Sequence, residues 1–195
     1  AYVQTNGGLK VLVGEMYGMF GAHKNWEGLN TFVKAILKFE REECPDSIAG
    51  WYIAEEPTAP KKRYSSEIVD QVIAKIKVAE SEAKIKPHKM YIDVTANRES
   101  SKIVPFLKNV DVIMISPDAY IWAVLPPNDK DSAAYLNIHY AVRRMREFLT
   151  SANNTSAQIQ IVLQAYDWNK SGPLRPNYVD MAQQVRYSLQ QGLVD

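Results

Sequence analysis

The stretch Gly50-Trp51-Tyr52-Ile53-Ala54-Glu55-Glu56-Pro57, GWYIAEEP, joins a hydrophobic strand directly to two adjacent carboxylates and a proline. Like charges at neighbouring positions repel each other, and burial raises that cost because it removes the charged groups from water. The Glu55–Glu56 pair therefore lies either in open solvent or at the mouth of a site that uses it. The second alternative predicts a functional site at the carboxyl end of this strand.

Short apolar runs alternate with amphipathic segments on both sides of this stretch. The expected strands are residues 10–14, 48–53, 90–94, 110–115 and 159–163. The expected helices are residues 27–43, 66–84, 132–149 and 177–191, with Ser65 or Ser66 as the cap of the second. Residues 100–108 are expected to form a short or broken helix because of Pro105. A β-α unit thus repeats five times, and we expect Leu193-Val194 to begin a sixth strand. The strands are continuous apolar runs, which indicates burial on both faces and a parallel sheet.

Two folds have this order of elements: a doubly wound open sheet and a (β/α)8 TIM barrel. No Gly-x-Gly-x-x-Gly motif follows the first strand, so the dinucleotide-binding form of the open sheet has no support. Polar and aromatic residues follow the strands instead, as in the loops that line the carboxyl face of a barrel. They are Glu15, Tyr17, Glu55, Glu56, Asp93, Asn97, Ser116, Asp118, Tyr120, Trp122, Gln164, Tyr166, Asp167 and Trp168.

The α/β pattern therefore predicts one (β/α)8 barrel domain over residues 1–195, incomplete at both ends. The visible strands correspond to strands 3 to 7 and the start of strand 8, because five or six strands are too few to close a barrel of eight. The chain opens without Met and stops where a new apolar run begins. We expect it to be a fragment of a longer chain, in which case any targeting signal has been lost.

Composition argues against several classes of protein. The net charge is +1 and the lysines are scattered, so no nucleic-acid partner is expected. No run of about 18 apolar residues occurs, so no membrane span is expected. The single cysteine, Cys44, and three well-separated histidines provide no metal-ligand spacing. The three glycosylation sequons, at Asn153, Asn154 and Asn169, indicate surface loops and carry little weight for secretion.

With these residues placed, the sequence resembles the glycoside-hydrolase-like TIM barrels. GWYIAEEP is similar to their fourth-strand motif, commonly Gly-Trp-Tyr-x-x-Asp-Glu-Pro, and to the Asn-Glu-Pro of the retaining-glycosidase clan. DVIMISPDAY, residues 111–120, is similar to their sixth strand. IQIVLQAYDW, residues 159–168, and LRPNYVDMAQQVRYSLQQG, residues 174–192, are similar to their seventh strand and the helix after it. The motifs cover nearly the whole chain in the family order, which implies the barrel fold.

The resemblance implies a role for each carboxylate of the doublet. Glu56 falls on the glutamate before proline, which implies that it is the general acid/base. Glu55 falls on the Asp or Asn position, which in the family contacts the sugar or orients the acid. Glycoside cleavage needs a carboxylic acid to protonate the leaving oxygen and a second carboxylate to attack or to activate water. Adjacent strand residues point to opposite faces, so the two can react as a pair only if the strand has already ended.

The second carboxyl stays open, because Gln164 stands where the retaining clan has its nucleophilic glutamate, and Ser116 replaces an aspartate of the sixth-strand motif. The candidates are Asp167, Asp118, Asp93, Glu15 and a residue on the missing strand eight. Aromatic residues are candidates for a floor on which a sugar ring stacks. The residues expected to bind substrate are Glu15, Asp93, Asp118, Tyr120, Trp122, Gln164, Tyr166, Asp167 and Trp168.

The predicted function is hydrolysis of a glycosidic bond in an oligo- or polysaccharide, without a metal or organic cofactor. For Glu56 the structural alternative is a carboxylate that caps or pairs with the loop before Lys61-Lys62-Arg63, and for Glu55 it is a structural hydrogen bond. Two other functions remain open. One is a non-catalytic carbohydrate-binding or scaffold barrel, and the other is a lyase that uses one carboxylate as its base.

Overall fold

A computed structural model describes residues 10–59, 64–95, 101–116 and 130–162, together with positions 182 and 185. Five parallel strands form one sheet in the order β1-β2-β3-β4-β5. They are β1 (Val11–Val13), β2 (Ile48–Glu55), β3 (Lys89–Thr95), β4 (Val112–Ser116) and β5 (Gln158–Ile161). The helices are α1 (Met16–Met19), α2 (Trp26–Glu42), α3 (Ser66–Ala83) and α4 (Lys130–Ser151), with 3-10 helices at Gly21–His23 and Ser101–Leu107.

The predicted α/β class and parallel sheet are confirmed. The strands of the described residues form a sheet that is not closed, with β1 and β5 at its edges. The segment expected over 100–108 as a short or broken helix is a 3-10 helix, Ser101–Leu107, that contains Pro105. Proline lacks the N–H that an α-helix interior requires, which is the reason a regular α-helix was not expected here. Among the helices of the described ranges, none is long and apolar enough to cross a membrane.

Two compact units make up the chain: Ala1–Ile92 with Lys108–Val112, and Asp93–Leu107 with Ile113–Asp195. In the first unit β1 and β2 run parallel, and Val13 pairs with Trp51. The helix α2 buries Leu29, Val33 and Leu37, which recur every four residues and so share one helix face. The helix α3 packs against α2 and buries its own apolar stripe, Val69, Val72, Ile73, Ile76 and Ala79.

Caps fix where these two helices begin. The Asn25 side chain accepts a hydrogen bond from Gly28 N at 3.0 Å and starts α2. The Ser65 hydroxyl accepts one from Ile68 N at 3.3 Å and starts α3. Each cap satisfies a backbone donor that has no partner inside its own helix. Of the two serines considered as the cap of the second long helix, Ser65 is therefore the one that serves.

The second unit packs the 3-10 helix Ser101–Leu107 against α4. Both elements bury apolar residues: Ile103, Phe106 and Leu107 in the first, and Ile138, Ala141, Val142, Met145 and Leu149 in the second. After α4 ends, the buried Asn154 side chain donates through Nδ2 to the carbonyl oxygen of Leu107 at 2.6 Å. The side chain of Asn154 thus ties the turn before β5 to the 3-10 helix.

Candidate functional site

Three glutamates lie where the neighbouring strands β1 and β2 end. Glu15 follows β1 after one glycine, Glu55 is the last residue of β2, and Glu56 comes next. Parallel neighbours run in the same direction, so their carboxyl ends lie at one edge of the sheet. In open and closed parallel sheets alike, this is the edge at which ligands bind. We refer to Glu15, Tyr17, Glu55, Glu56 and Tyr64 as the carboxyl-edge site.

Gly14 allows the chain to turn out of β1 while its backbone lies close to that of β2. Its φ is +125°, and a Cβ at this position would lie 2.5 Å from the carbonyl oxygen of Tyr52. Only glycine combines that backbone angle with so close an approach. The turn that follows places Glu15 at the start of α1, where its carboxylate Oε2 accepts a hydrogen bond from Gly18 N at 3.0 Å.

The second carboxylate oxygen of Glu15 faces an aromatic pair. The Tyr64 hydroxyl donates to Glu15 Oε1 at 3.1 Å. The ring of Tyr64 stacks on that of Tyr17, with 4.0 Å between centroids and 16° between planes. The Tyr17 hydroxyl in turn accepts a hydrogen bond from Ser65 N at 3.0 Å. Glu15 is therefore held by hydrogen bonds to both oxygens, and the loop before α3 is fixed against α1.

Tyr64 also connects Glu15 electrostatically with Glu55. Burial, followed by the charge of Glu15 and its hydrogen bond, raises the pKa of the Tyr64 phenol well above its ordinary value. The negative charge of Glu55 raises this pKa further. Each of these effects penalises the phenolate and leaves Tyr64 a neutral donor. Two carboxylates, one that follows β1 and one at the end of β2, therefore act on the Tyr64 hydroxyl group.

Glu55 and Glu56 differ in exposure and in backbone conformation. Glu55 is exposed and still belongs to β2, whereas Glu56 is half-buried and lies beyond the strand. The φ of Glu56 is +43°, in the left-handed region, which non-glycine residues seldom occupy and which is unusual before a proline. The turn is closed by Ala59 N, which donates to the Glu56 carbonyl oxygen at 3.0 Å. Because the strand ends between the two glutamates, strand alternation does not force their side chains to opposite faces.

The other predicted site residues are placed as follows. Asp93 lies inside β3 rather than after it and belongs to the second unit, half-buried between Ile92 and Val94, which are both buried. Its side chain therefore points to the face opposite to that of its two neighbours. The remaining candidates fall outside the described residues: Asp118, Tyr120, Trp122, Gln164, Tyr166, Asp167 and Trp168.

Tyr64 is the site residue that sequence analysis missed. It stands directly before the helix cap Ser65, and the helix that follows a strand begins at the carboxyl edge of a parallel sheet. An aromatic residue next to the cap of that helix was therefore a signal for this site. The sequence-based selection of site residues included only residues that follow a strand, and Tyr64 precedes a helix.

The chemistry available at the carboxyl-edge site is that of carboxylates and a phenol. Over the described part of the chain, no group of three or more His, Cys, Asp or Glu side chains is arranged to hold a metal ion. No family model, curated protein or solved structure matches this chain.

Proposed function

We propose that this protein is a glycoside-hydrolase-like enzyme that cleaves glycosidic bonds in an oligo- or polysaccharide by carboxylate general acid/base catalysis. Glu56 is the acid/base, Glu15 is the second carboxyl, and Glu55 contacts the sugar or orients the acid. The proposal rests on one observation: three glutamates from two neighbouring strands lie at the carboxyl edge of a parallel sheet, with the Tyr64 hydroxyl under the influence of two of them.

The assigned roles follow from how each carboxylate is held. A catalytic carboxylate that attacks or activates water needs a fixed orientation, and Glu15 has hydrogen bonds to both oxygens. Glu56 projects from a left-handed backbone position. Residues in sparsely populated conformations of this kind concentrate at functional sites. Glu55 is exposed and is thus accessible to a ligand without rearrangement of the core.

We also propose that the sheet belongs to a (β/α)8 barrel. The five strands follow one another across the sheet in chain order, whereas a doubly wound sheet reverses its order at a switch point. Right-handed crossovers with this order place successive helices on the same face of the sheet. The packing of α2 against α3 agrees with that arrangement.

A second candidate function is a non-catalytic carbohydrate-binding barrel. The observation that favours it is the same pair of hydrogen bonds to Glu15, since a carboxylate that caps α1 has a structural role without any chemistry. In that case the site binds sugar and forms no product. A lyase, the remaining alternative, releases an unsaturated product that absorbs ultraviolet light.

The test is hydrolysis of a panel of aryl glycosides and oligosaccharides by the wild type, Glu56→Gln and Glu82→Gln. Glu82 is an exposed carboxylate near the end of α3, in a surface ion pair with Lys34, and serves as the matched control. Loss of a general acid lowers kcat/KM by about 10²–10⁴-fold. We expect this loss for Glu56→Gln on oligosaccharides, with retained sugar binding, and wild-type rates for Glu82→Gln.

The leaving group separates acid catalysis from a structural effect. A dinitrophenyl glycoside needs no proton on its leaving oxygen, so Glu56→Gln should lose much less activity on it than on an oligosaccharide. An equal loss on both substrates would contradict the acid role. If the wild type binds sugar but forms no product, the protein is a carbohydrate-binding barrel and not an enzyme. If the products are unsaturated, the protein is a lyase.

A further inference from the structure

A second group of carboxylates lies at the opposite, amino edge of the sheet in the first unit. Glu40 is near the end of α2, Glu80 is near the end of α3, and His88 directly precedes β3. Glu40 is 6% exposed and Glu80 is 1% exposed. Glutamates are seldom buried to this extent unless they are paired. We refer to Glu40, Trp51, Glu80 and His88 as the amino-edge cluster.

The imidazole of His88 lies between the two carboxylates. Its Nδ1 is 2.8 Å from Glu80 Oε1. Its Nε2 is 3.1 Å from each oxygen of Glu40. Glu80 Oε1 also accepts hydrogen bonds from the Trp51 indole Nε1 at 2.8 Å and from the His88 backbone N at 3.0 Å. The His88 ring therefore joins α2 to α3. The Trp51 indole joins β2 to the Glu80 carboxylate of α3.

The protonation state of His88 follows from the donors and acceptors around it. A neutral imidazole has one N–H donor and one lone pair, whereas an imidazolium has two donors. Both ring nitrogens face carboxylate oxygens, so a neutral ring would oppose one lone pair with another. Glu40 Oε2 and Glu80 Oε2 are also buried, and within the described residues their nearest source of positive charge is the His88 ring, whose Nε2 is 3.1 Å from Glu40 Oε2. Two buried carboxylates without a cation between them would be strongly destabilising.

We propose that His88 is a protonated bridge in the folded protein at neutral pH, and that its deprotonation at alkaline pH weakens the packing of α2 against α3. The amino-edge cluster is then a pH-sensitive clamp on the packing of these helices. The hydrogen bond to Glu80 raises the pKa of His88 most, burial of the ring opposes this effect, and the hydrogen bond and charge of Glu40 raise the pKa further.

The direction of the pH effect follows from linkage. A histidine whose pKa is raised on folding stabilises the native state fully at pH values below its unfolded pKa, about 6.5. That contribution is lost as the pH rises through the folded-state pKa. The contribution of the clamp to stability is therefore present while His88 is protonated and is lost on the alkaline side.

Other charged groups line the cavity next to the cluster. The cavity has a volume of about 540 Å³ and gives the ring, whose side chain is 11% exposed, a route for proton exchange. Its other charged lining residues are Lys10, Arg41, Asp46, Lys86 and Lys89. The cations among them oppose protonation of His88 at a distance, while Glu40 and Glu80 favour it in direct contact. Coulomb interactions weaken with distance and with solvent, so the contacts decide the sign.

The primary test is ¹⁵N NMR of the imidazole nitrogens in the labelled wild-type protein, with His88 assigned by comparison with His88→Gln. We expect both nitrogens to carry protons at pH 7. We also expect the native protein to lose the second proton at a higher pH than the same residue in the urea-unfolded chain, together with a fall in the urea midpoint. A single protonated nitrogen at pH 7, or a protonated Glu40 carboxyl beside a neutral ring, would overturn the proposal.

Glu40→Gln and Glu42→Gln form a matched pair of charge-removing variants in α2. Glu40 contacts His88, whereas Glu42 is exposed and pairs with Arg41. In Glu40→Gln the native titration of His88 should shift to lower pH and the alkaline fall in urea midpoint should shrink. In Glu42→Gln both should stay as in the wild type. Equal behaviour of the two variants would contradict the clamp, and the wild-type spectra decide the protonation state even where Glu40→Gln fails to fold.

Discussion

The left-handed backbone of Glu56 leads to a prediction that separates its conformation from its chemistry. We compare Glu56→Gly with Glu56→Ala. Both substitutions remove the carboxylate and every interaction that it makes, so the difference between them reports the backbone alone. At a φ of +43° the Cβ of alanine is strained and glycine has none.

The expected difference can be worked from two opposing terms. A left-handed conformation costs a non-glycine residue about 1–2 kcal/mol. Glycine, in turn, loses about 0.5–1 kcal/mol more backbone entropy than alanine on folding. Glu56→Gly should therefore be more stable than Glu56→Ala by about 0–1.5 kcal/mol, or up to about 6 °C in Tm for a chain of this size. The restriction that Pro57 places on the preceding residue favours the upper end of this range.

Urea denaturation with linear extrapolation measures this difference. Lys84, the left-handed cap of α3 with a φ of +54°, should show the same preference for glycine. Lys77, exposed in the interior of α3, should show the opposite preference, with alanine more stable by about 1 kcal/mol. If position 56 behaves like position 77, then Glu56 is not left-handed in solution and backbone strain can no longer support its role in the site.

Three further substitutions test the contacts around the two edges of the sheet, each measured by urea denaturation. Gly14→Ala should destabilise the protein by at least about 2 kcal/mol, because the new Cβ meets the Tyr52 carbonyl at a strained backbone angle; a neutral result would contradict the close approach. Trp51→Phe should cost at least about 1.5–3 kcal/mol through loss of the indole donor to the Glu80 carboxylate, and a smaller loss would mean that this bond is not made. Asn154→Ala should cost about 1–3 kcal/mol by leaving a buried carbonyl without its donor, unless that carbonyl is solvated.

The secondary structure could be predicted where the signal is local. The second long helix was expected over 66–84 and is Ser66–Ala83, because its apolar spacing and its serine cap lie within one segment. The strand β2, which contains most of the GWYIAEEP stretch, was expected to end at Ile53 and continues to Glu55. Its last residue, Glu55, is charged and exposed. The strand pairing therefore extends beyond the hydrophobic residues from which the strand was predicted.

The side-chain pairs of the two edges could not be predicted in the same way. Tyr64 and Glu15 are 49 positions apart, and His88 and Glu40 are 48 positions apart. Such contacts depend on how helices and loops pack, which the periodicity of one segment does not determine. A signal was nevertheless present in α2, where Glu40 continues the buried stripe of Val33 and Leu37. A carboxylate on the core face of a helix predicts a buried partner, although it does not identify that partner.

The contrast between the two edges helps to separate structural carboxylates from candidate functional ones. Glu80 is 1% exposed and one of its oxygens accepts three hydrogen bonds, so removing a partner leaves a buried charge and a ligand has no access to it. Glu55 is exposed at the opposite end of β2, and Glu56 follows it in a conformation that costs stability. The carboxyl edge is therefore where binding or catalysis is to be sought, and the amino edge is where stability and its pH dependence are to be measured.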